Sequence, residues 1–273
     1  MTSGGVSDSG FWQYRKRRYI KERSPMKTKQ GSSKKGSQHS KLLTRAEAYA
    51  IGKQLRDKCP RSDHAKWKAL HGRTDAVEMV LAAEKGRVSD LLPLRHGRMA
   101  RSAFTFYRGA ALTMAADLAS TQASGLRVQC CGDAHLSNFG GFATPERNIF
   151  FDINDFDETL PAPWEWDIKR LSASIVIAAR HLGMPDSDAA KAATAAVCSY
   201  RERMTDYASM RALDVWYDRI DLDRVMKAAP TAQAAARIQQ RVERRVRKVC
   251  RTRCSPSSWS VRAQRPRSGT NLL

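Results

Sequence analysis

The chain has 273 residues, of which 42% are hydrophobic and 8% aromatic, and its net charge is +21. This composition supports a hydrophobic core and excludes a wholly disordered chain, while no run approaches the ~20 apolar residues of a membrane-spanning helix. Six cysteines are too few for a disulfide scaffold. Because no apolar signal segment follows the first charges, we predict a cytoplasmic protein without membrane association.

The positive charge is concentrated at the two ends of the chain. Residues 1–41 and 241–273 each carry a net charge of +9, whereas residues 42–240 carry +3. The first segment is rich in Ser, Gly and Lys, which predicts a disordered basic tail. From Cys250 onward Arg, Ser, Pro and Cys dominate, which predicts either a second disordered tail over 249–273 or a shifted reading frame. Nucleic acid would bind non-specifically, through these tails.

Between residues 42 and 248 the pattern predicts a folded core. Thr44 and Glu47 have capping-box spacing, so we expect a helix to begin there. Apolar residues at helical intervals predict further helices over Asp75–Lys85, Ala103–Leu118, Trp164–His181, Asp186–Tyr207 and Thr231–Val249. Apolar runs at 127–131 and 148–153 predict two strands, the first of them buried. The expected fold is α/β (α+β), mostly helical with a small sheet.

The polar residues with the clearest chemical pattern follow these two strands. Asp133 and Asn138 are five residues apart, and Asp155 comes just after the second strand. Kinases use an Asp as base, an Asn five residues later on a metal ion, and an Asp after a following strand on the same metal. The spacing therefore predicts Asp133 as the catalytic base, and Asn138 and Asp155 as Mg²⁺ ligands, with Asp152 as the rival of Asp155. ATP would be the phosphoryl donor.

Two neighbouring side chains have two interpretations each. His135 either satisfies a structural hydrogen bond, the favoured interpretation, or ligates a metal. Arg108 follows an aromatic run and pairs either with a phosphate or with a loop carboxylate, Asp133 or Asp157.

The helix after the acidic segment suggests packing more than chemistry. Asp167, Lys169 and Arg170 are expected to form ion pairs on its surface. Cys130 and Cys131 lie in a predicted strand, which favours packed thiols over redox work.

Residues from about Trp67 to Tyr217 resemble an uncharacterised bacterial family, domain-of-unknown-function family 2252. Four segments carry the resemblance: Phe104–Ala110, Cys131–Gly140, Phe151–Glu158 and Pro163–Leu171. This family is itself similar to protein kinases and aminoglycoside phosphotransferases, whose His-Gly-Asp-x4-Asn motif is followed by Asp-Phe or Asp-Trp after a strand. The resemblance thus implies a partial protein-kinase-like catalytic lobe.

Two departures from this pattern bear on activity. Cys131 stands where the antibiotic kinases have His. Relatives in the family continue into a Gly-rich segment with a Lys that resembles a nucleotide clamp, but here the resemblance fades near Val246. We therefore expect a C-terminally truncated copy.

Three functions follow from these observations. The first is a kinase-like phosphotransferase acting on a small molecule or another acceptor. The second is a degenerate fragment or interaction domain without turnover, which the missing Gly-rich segment favours. The third is a metal-dependent hydrolase that uses Asp133, His135, Asp152 and Asp155.

Overall fold

The structure is a computed structural model that describes residues 43–144 and 148–253, with side chains described as far as residue 244. The predicted N-terminal tail, residues 145–147 and the segment from 254 onward lie outside the described residues.

Helices make up most of the described chain. They are α1 (Arg45–Lys58), α2 (Ala76–Ala82), α3 (Leu92–Met99), α4 (Ala103–Arg108), α5 (Ala111–Ala119), α6 (Glu165–His181), α7 (Asp186–Ser209), α8 (Ala212–Tyr217), α9 (Leu222–Lys227) and α10 (Ala232–Arg253). Short 3₁₀ turns lie at Arg61–Ala65, Ser89–Leu91 and Leu136–Asn138. None of these helices is long and apolar enough to cross a bilayer.

The predicted start of α1 is confirmed. Thr44 accepts a hydrogen bond from the amide of Glu47, and the Glu47 carboxylate accepts one from the Thr44 amide at 2.8 Å. This reciprocal pair satisfies two amides that a helix start leaves without partners.

The prediction of a single helix over 103–118 is wrong, because the helix is interrupted between α4 and α5. The Gly109 carbonyl accepts a hydrogen bond from Arg95 at 2.7 Å instead of continuing the helical ladder. A Cβ at Gly109 would come within 2.7–2.9 Å of the Met99 side chain, so the break lets Met99 pack closely on the chain. The last helix also differs from prediction, since α10 runs on to Arg253.

In the part of the chain that the structure describes, five short strands form two antiparallel sheets. They are β1 (Arg127–Cys130), β2 (Phe139–Ala143), β3 (Ile149–Ile153), β4 (Leu160–Pro163) and β5 (Ile220–Asp221). One sheet pairs β1 with β4, and the other has the order β2-β3-β5. The two predicted strands are present as β1 and β3. The expectation that the first strand is buried is wrong, because β1 has a single partner strand and its first three residues are exposed.

Helix α6 lies behind the loops that leave β1 and β3. It packs along α7 and also contacts α4, α5 and the turn Leu136–Asn138. Its buried face carries Arg170, Ser174 and Ala178, which are 2%, 0% and 9% exposed. The protein is therefore α+β and mostly helical, as predicted, and its small sheets hold two loops against one central helix.

Candidate functional site

The side chain of Asn138 joins two loops by hydrogen bonds. Residues 131–138 follow β1, and residues 154–159 follow β3. Asn138, 4% exposed, donates from Nδ2 to the carbonyls of Asp133 at 3.1 Å and Asp155 at 3.0 Å. Its Oδ1 accepts from the Asp155 amide at 2.9 Å. The side chain amide thus fixes the backbones that carry the predicted base and the predicted metal ligand next to each other.

This geometry limits how Asn138 can act on a metal. One lone pair of its Oδ1 is already used by the Asp155 amide, and an amide oxygen has two. A metal would have to bind the second lone pair of a buried oxygen.

The Asp133 carboxylate is held by a buried arginine. Arg170 donates from Nε at 2.8 Å and from Nη2 to the same oxygen, Oδ1. The Arg170 side chain is 2% exposed and that of Asp133 is 13% exposed. A guanidinium this deeply buried requires a partner charge, and α6 places Arg170 opposite Asp133. The surface position predicted for Arg170 is therefore wrong.

Tyr107 completes the surroundings of this ion pair. Its carbonyl accepts from Arg170 Nη2 at 2.9 Å, and its hydroxyl donates to the Arg170 carbonyl at 2.9 Å. The guanidinium carbon lies 4.4 Å from the centre of the Tyr107 ring. Burial raises the pKa of Tyr107 to about 12. Arg170 is thus fixed on every side before any ligand binds.

Arg108, by contrast, does not pair with a loop carboxylate. It is exposed, and it makes no hydrogen bond or ion pair within the described residues. It is close enough to His135 that its charge helps to lower the pKa of that imidazole. Of the two interpretations of Arg108, the pairing with Asp133 is wrong, because Arg170 on α6 occupies that carboxylate.

Asp167 fixes the start of the first loop. Its two carboxylate oxygens accept from the amides of Cys131 at 2.7 Å and Gly132 at 3.0 Å. Gly132 has a φ of +81°, and a Cβ there would lie 2.0 Å from the Glu158 carbonyl oxygen. The contact between the two loops therefore requires glycine at this position.

His135 lies beneath the loop surface. It is 6% exposed, its Nε2 lies 3.6 Å from Asp133 Oδ2, and its Nδ1 has no hydrogen-bond partner in the described residues. Burial lowers the pKa of His135, although Asp133 acts in the opposite direction. His135 is therefore held as a neutral imidazole.

The remaining carboxylates lie on the exposed side of the site. Asp152, on β3, accepts from its own neighbour's amide, that of Ile153, at 2.8 Å. Asp155 accepts from the Asp157 amide at 3.1 Å. All three Asp side chains belong to exposed residues, so they are open to a ligand from solvent.

The pKa of Glu158 reflects the negative charge of this acidic loop. Burial raises its pKa, and the charges of Asp133, Asp155 and Asp157 raise it further.

No three His, Cys, Asp or Glu side chains among the described residues converge as a metal-binding group. The four ligands predicted for a hydrolase are therefore not assembled as such a group.

Cys131 is a packed thiol, as the strand pattern predicted. It is 6% exposed, its Sγ lies 3.8 Å from the Asp155 carbonyl oxygen, and burial raises its pKa to about 11. This chain therefore has a neutral thiol between the two loops.

The sequence contained a signal for the roles of Arg170 and Asp167 in the site, which the sequence analysis missed. Ser174 and Ala178 are small and follow Arg170 at intervals of four and eight residues, so all three share one helix face. That face is buried, and Asp167 lies three residues before Arg170 on the same side.

One comparison with known proteins returned a match. The model of the family DUF2252, described as an uncharacterized protein conserved in bacteria, matches residues 87–270. The comparisons with curated proteins and with solved structures returned no match. The matched range includes all four motif segments and continues past Val246, where the motifs themselves had faded. Since it covers well over half of the chain, the protein belongs to the DUF2252 family.

Proposed function

We propose that this protein carries a kinase-like, Mg²⁺-dependent phosphotransferase site for the hydroxyl group of a small molecule or another acceptor. The observation that carries the proposal is the joining of two loops by Asn138, whose amide contacts the backbones of both Asp133 and Asp155. A base from one loop and a cation ligand from a second loop are what phosphoryl transfer requires.

In this proposal Asp133 accepts the acceptor's proton. Arg170 occupies Oδ1, while Oδ2 accepts no hydrogen bond within the described residues and lies 3.6 Å from His135 Nε2. Oδ2 is therefore the oxygen that would take the proton from the acceptor hydroxyl. Arg170 acts as a positioning residue, because it fixes the carboxylate plane without reaching solvent.

The exposed carboxylates supply the cation side of the site. Mg²⁺ is commonly bound by one or two protein carboxylates together with water and substrate phosphates, so the exposed Asp155 fits this role without a cluster of three protein ligands. Asp152, three residues earlier on β3, is the alternative ligand. Bound Mg²⁺ and ATP would supply the activated phosphoryl group, and Arg108, an exposed cation whose charge acts on His135, would offer a counter-charge.

The experiment is a calorimetric titration of the full chain with ATP, with and without Mg²⁺, followed by an assay of ADP release. We expect Mg²⁺-dependent binding in the wild type and in Asp133→Asn, with ADP release lowered about 10²–10⁴-fold in that variant, the usual contribution of a general base. Asp155→Asn should weaken the dependence of ATP binding on Mg²⁺. Asp206→Asn, on the exposed face of α7, is the control and should bind and turn over ATP like the wild type.

A second candidate is an interaction domain without turnover. It is favoured by the engagement of Asn138 Oδ1 with the Asp155 amide and by the lack of a three-ligand group in the described chain. A folded chain that binds no ATP with or without Mg²⁺ would decide for this candidate and against the phosphotransferase.

A further inference from the structure

The last described helix, α10, has an unusual charge for its length. Its 22 residues contain eight Arg or Lys and one acid, Glu243, for a net charge of +7. At 1.5 Å per residue the helix is ~33 Å long. We infer that α10 is a binding surface for the phosphate backbone of a nucleic acid.

The described arginines of α10 share one open face. Arg237, Arg241 and Arg244 are four and three residues apart, which places them within ~60° of one another around the helix axis. All three are exposed, and none has a hydrogen bond or ion pair among the described residues. Three guanidinium groups in a row therefore have no partner charge within residues 43–144 and 148–244.

The apolar side of the same helix is already partly covered. Ile238 and Val242 are half-buried, as are Ala234 and Ala235, and α9 packs beside α10. The helix consequently turns its apolar side toward the protein and its basic side toward solvent.

This orientation favours nucleic acid over a membrane surface. An interfacial helix must bury its apolar face in lipid, and that face is half-covered here. The helix has no aromatic residue, and seven of its eight basic residues are arginines. Guanidinium groups bind phosphate in a bidentate manner.

The inference differs from binding through the tails. A flexible basic tail must be ordered when it binds, whereas α10 presents its arginines on a helix that is already formed. It is also independent of the phosphotransferase proposal, because α10 contributes no residue to that site.

The test measures binding of the full chain to a fluorescent 20-base-pair DNA duplex by anisotropy, over about 50–200 mM NaCl. Each phosphate contact adds about 0.9 to the slope of log affinity against log salt. The variant R237Q/R241Q/R244Q should therefore lower that slope by about 2.7, so that the wild type loses about 40-fold more affinity than the variant across this salt range. Glutamine preserves helix propensity, and circular dichroism would verify the fold.

The control removes the same charge from another helix. Lys53, Arg56 and Lys58 are exposed on α1, and K53Q/R56Q/K58Q should leave the slope within one contact of the wild type. Equal slopes in the wild type and the α10 variant, or an equal decrease in both variants, would overturn the inference in favour of the tails or of net charge. It is also overturned if the α10 variant loses binding to phosphatidylserine vesicles but not to the duplex.

Discussion

Replacing Arg170 by methionine tests whether the ion pair with Asp133 organises the site. Arg170→Met keeps a long apolar side chain but removes two hydrogen bonds to Asp133 Oδ1 and one to the Tyr107 carbonyl. It leaves a carboxylate that is 13% exposed without its cation. The same argument applies in reverse to Asp133→Asn, which leaves a guanidinium that is 2% exposed without its anion.

The expected cost follows from this burial. Removing one partner of a buried pair typically costs about 3–5 kcal/mol, because the remaining charge stays desolvated. Replacing both partners by uncharged groups is often close to neutral. We therefore expect each single variant to lower the free energy of unfolding by about 3–5 kcal/mol, and D133N/R170M to lose at least about 2 kcal/mol less than the sum of the two. A total stability of about 5–15 kcal/mol leaves room to measure this.

The assay is urea unfolding of the wild type, the two single variants and the double variant, monitored by circular dichroism. Tyr107→Phe is the matched control: it removes the hydroxyl that donates to the Arg170 carbonyl at 2.9 Å but keeps the ring under the guanidinium, so it should cost about 1 kcal/mol. Losses below about 1 kcal/mol in both single variants, or strict additivity in the double variant, would refute the ion pair as the organising contact.

Three further measurements address the neighbourhood of this pair. Gly132→Ala should destabilise by more than about 3 kcal/mol, since it adds a collision with the facing carbonyl to left-handed backbone strain, whereas Gly72→Ala, with a φ of +76° and open space, should cost about 1 kcal/mol in the same urea assay. Burial lowers the pKa of His135 from 6.5, so its contribution to stability is complete above about pH 6.5 and is lost as the pH falls through that value toward the folded pKa. His135→Gln should flatten the pH dependence of the free energy of unfolding in this range. An unchanged pH dependence in the variant would contradict the burial argument. Alkylation followed by mass spectrometry should modify Cys131, with a pKa near 11, far more slowly than half-buried Cys198; equal rates would show that the loop opens readily.

Local sequence determined the elements whose signals are local. The capping box at Thr44, the strand Ile149–Ile153 and the helix Glu165–His181 depend on residues a few positions apart, and each was predictable. The break at Gly109 was not, because its cause is a contact with Met99 and Arg95 in another helix. Strands β2, β4 and β5 were missed for a related reason. They are short, and two contain Gly or Pro, so pairing partners more than their own propensity make them strands.

The site divides along the same line. The sequence alone determined the chemical inventory: an Asp and an Asn five residues apart, a second acidic segment after a strand, and motifs that identify the DUF2252 family. The tertiary structure decided what each group touches. It paired Asp133 with Arg170, joined two loops through Asn138 and left Arg108 exposed. It also buried His135, whose Nδ1 has no partner among the residues that the structure describes. The physical reason is that spacing along a chain fixes which residues can share a loop or a helix face, whereas the partner of a buried charge is chosen by whichever element packs against it.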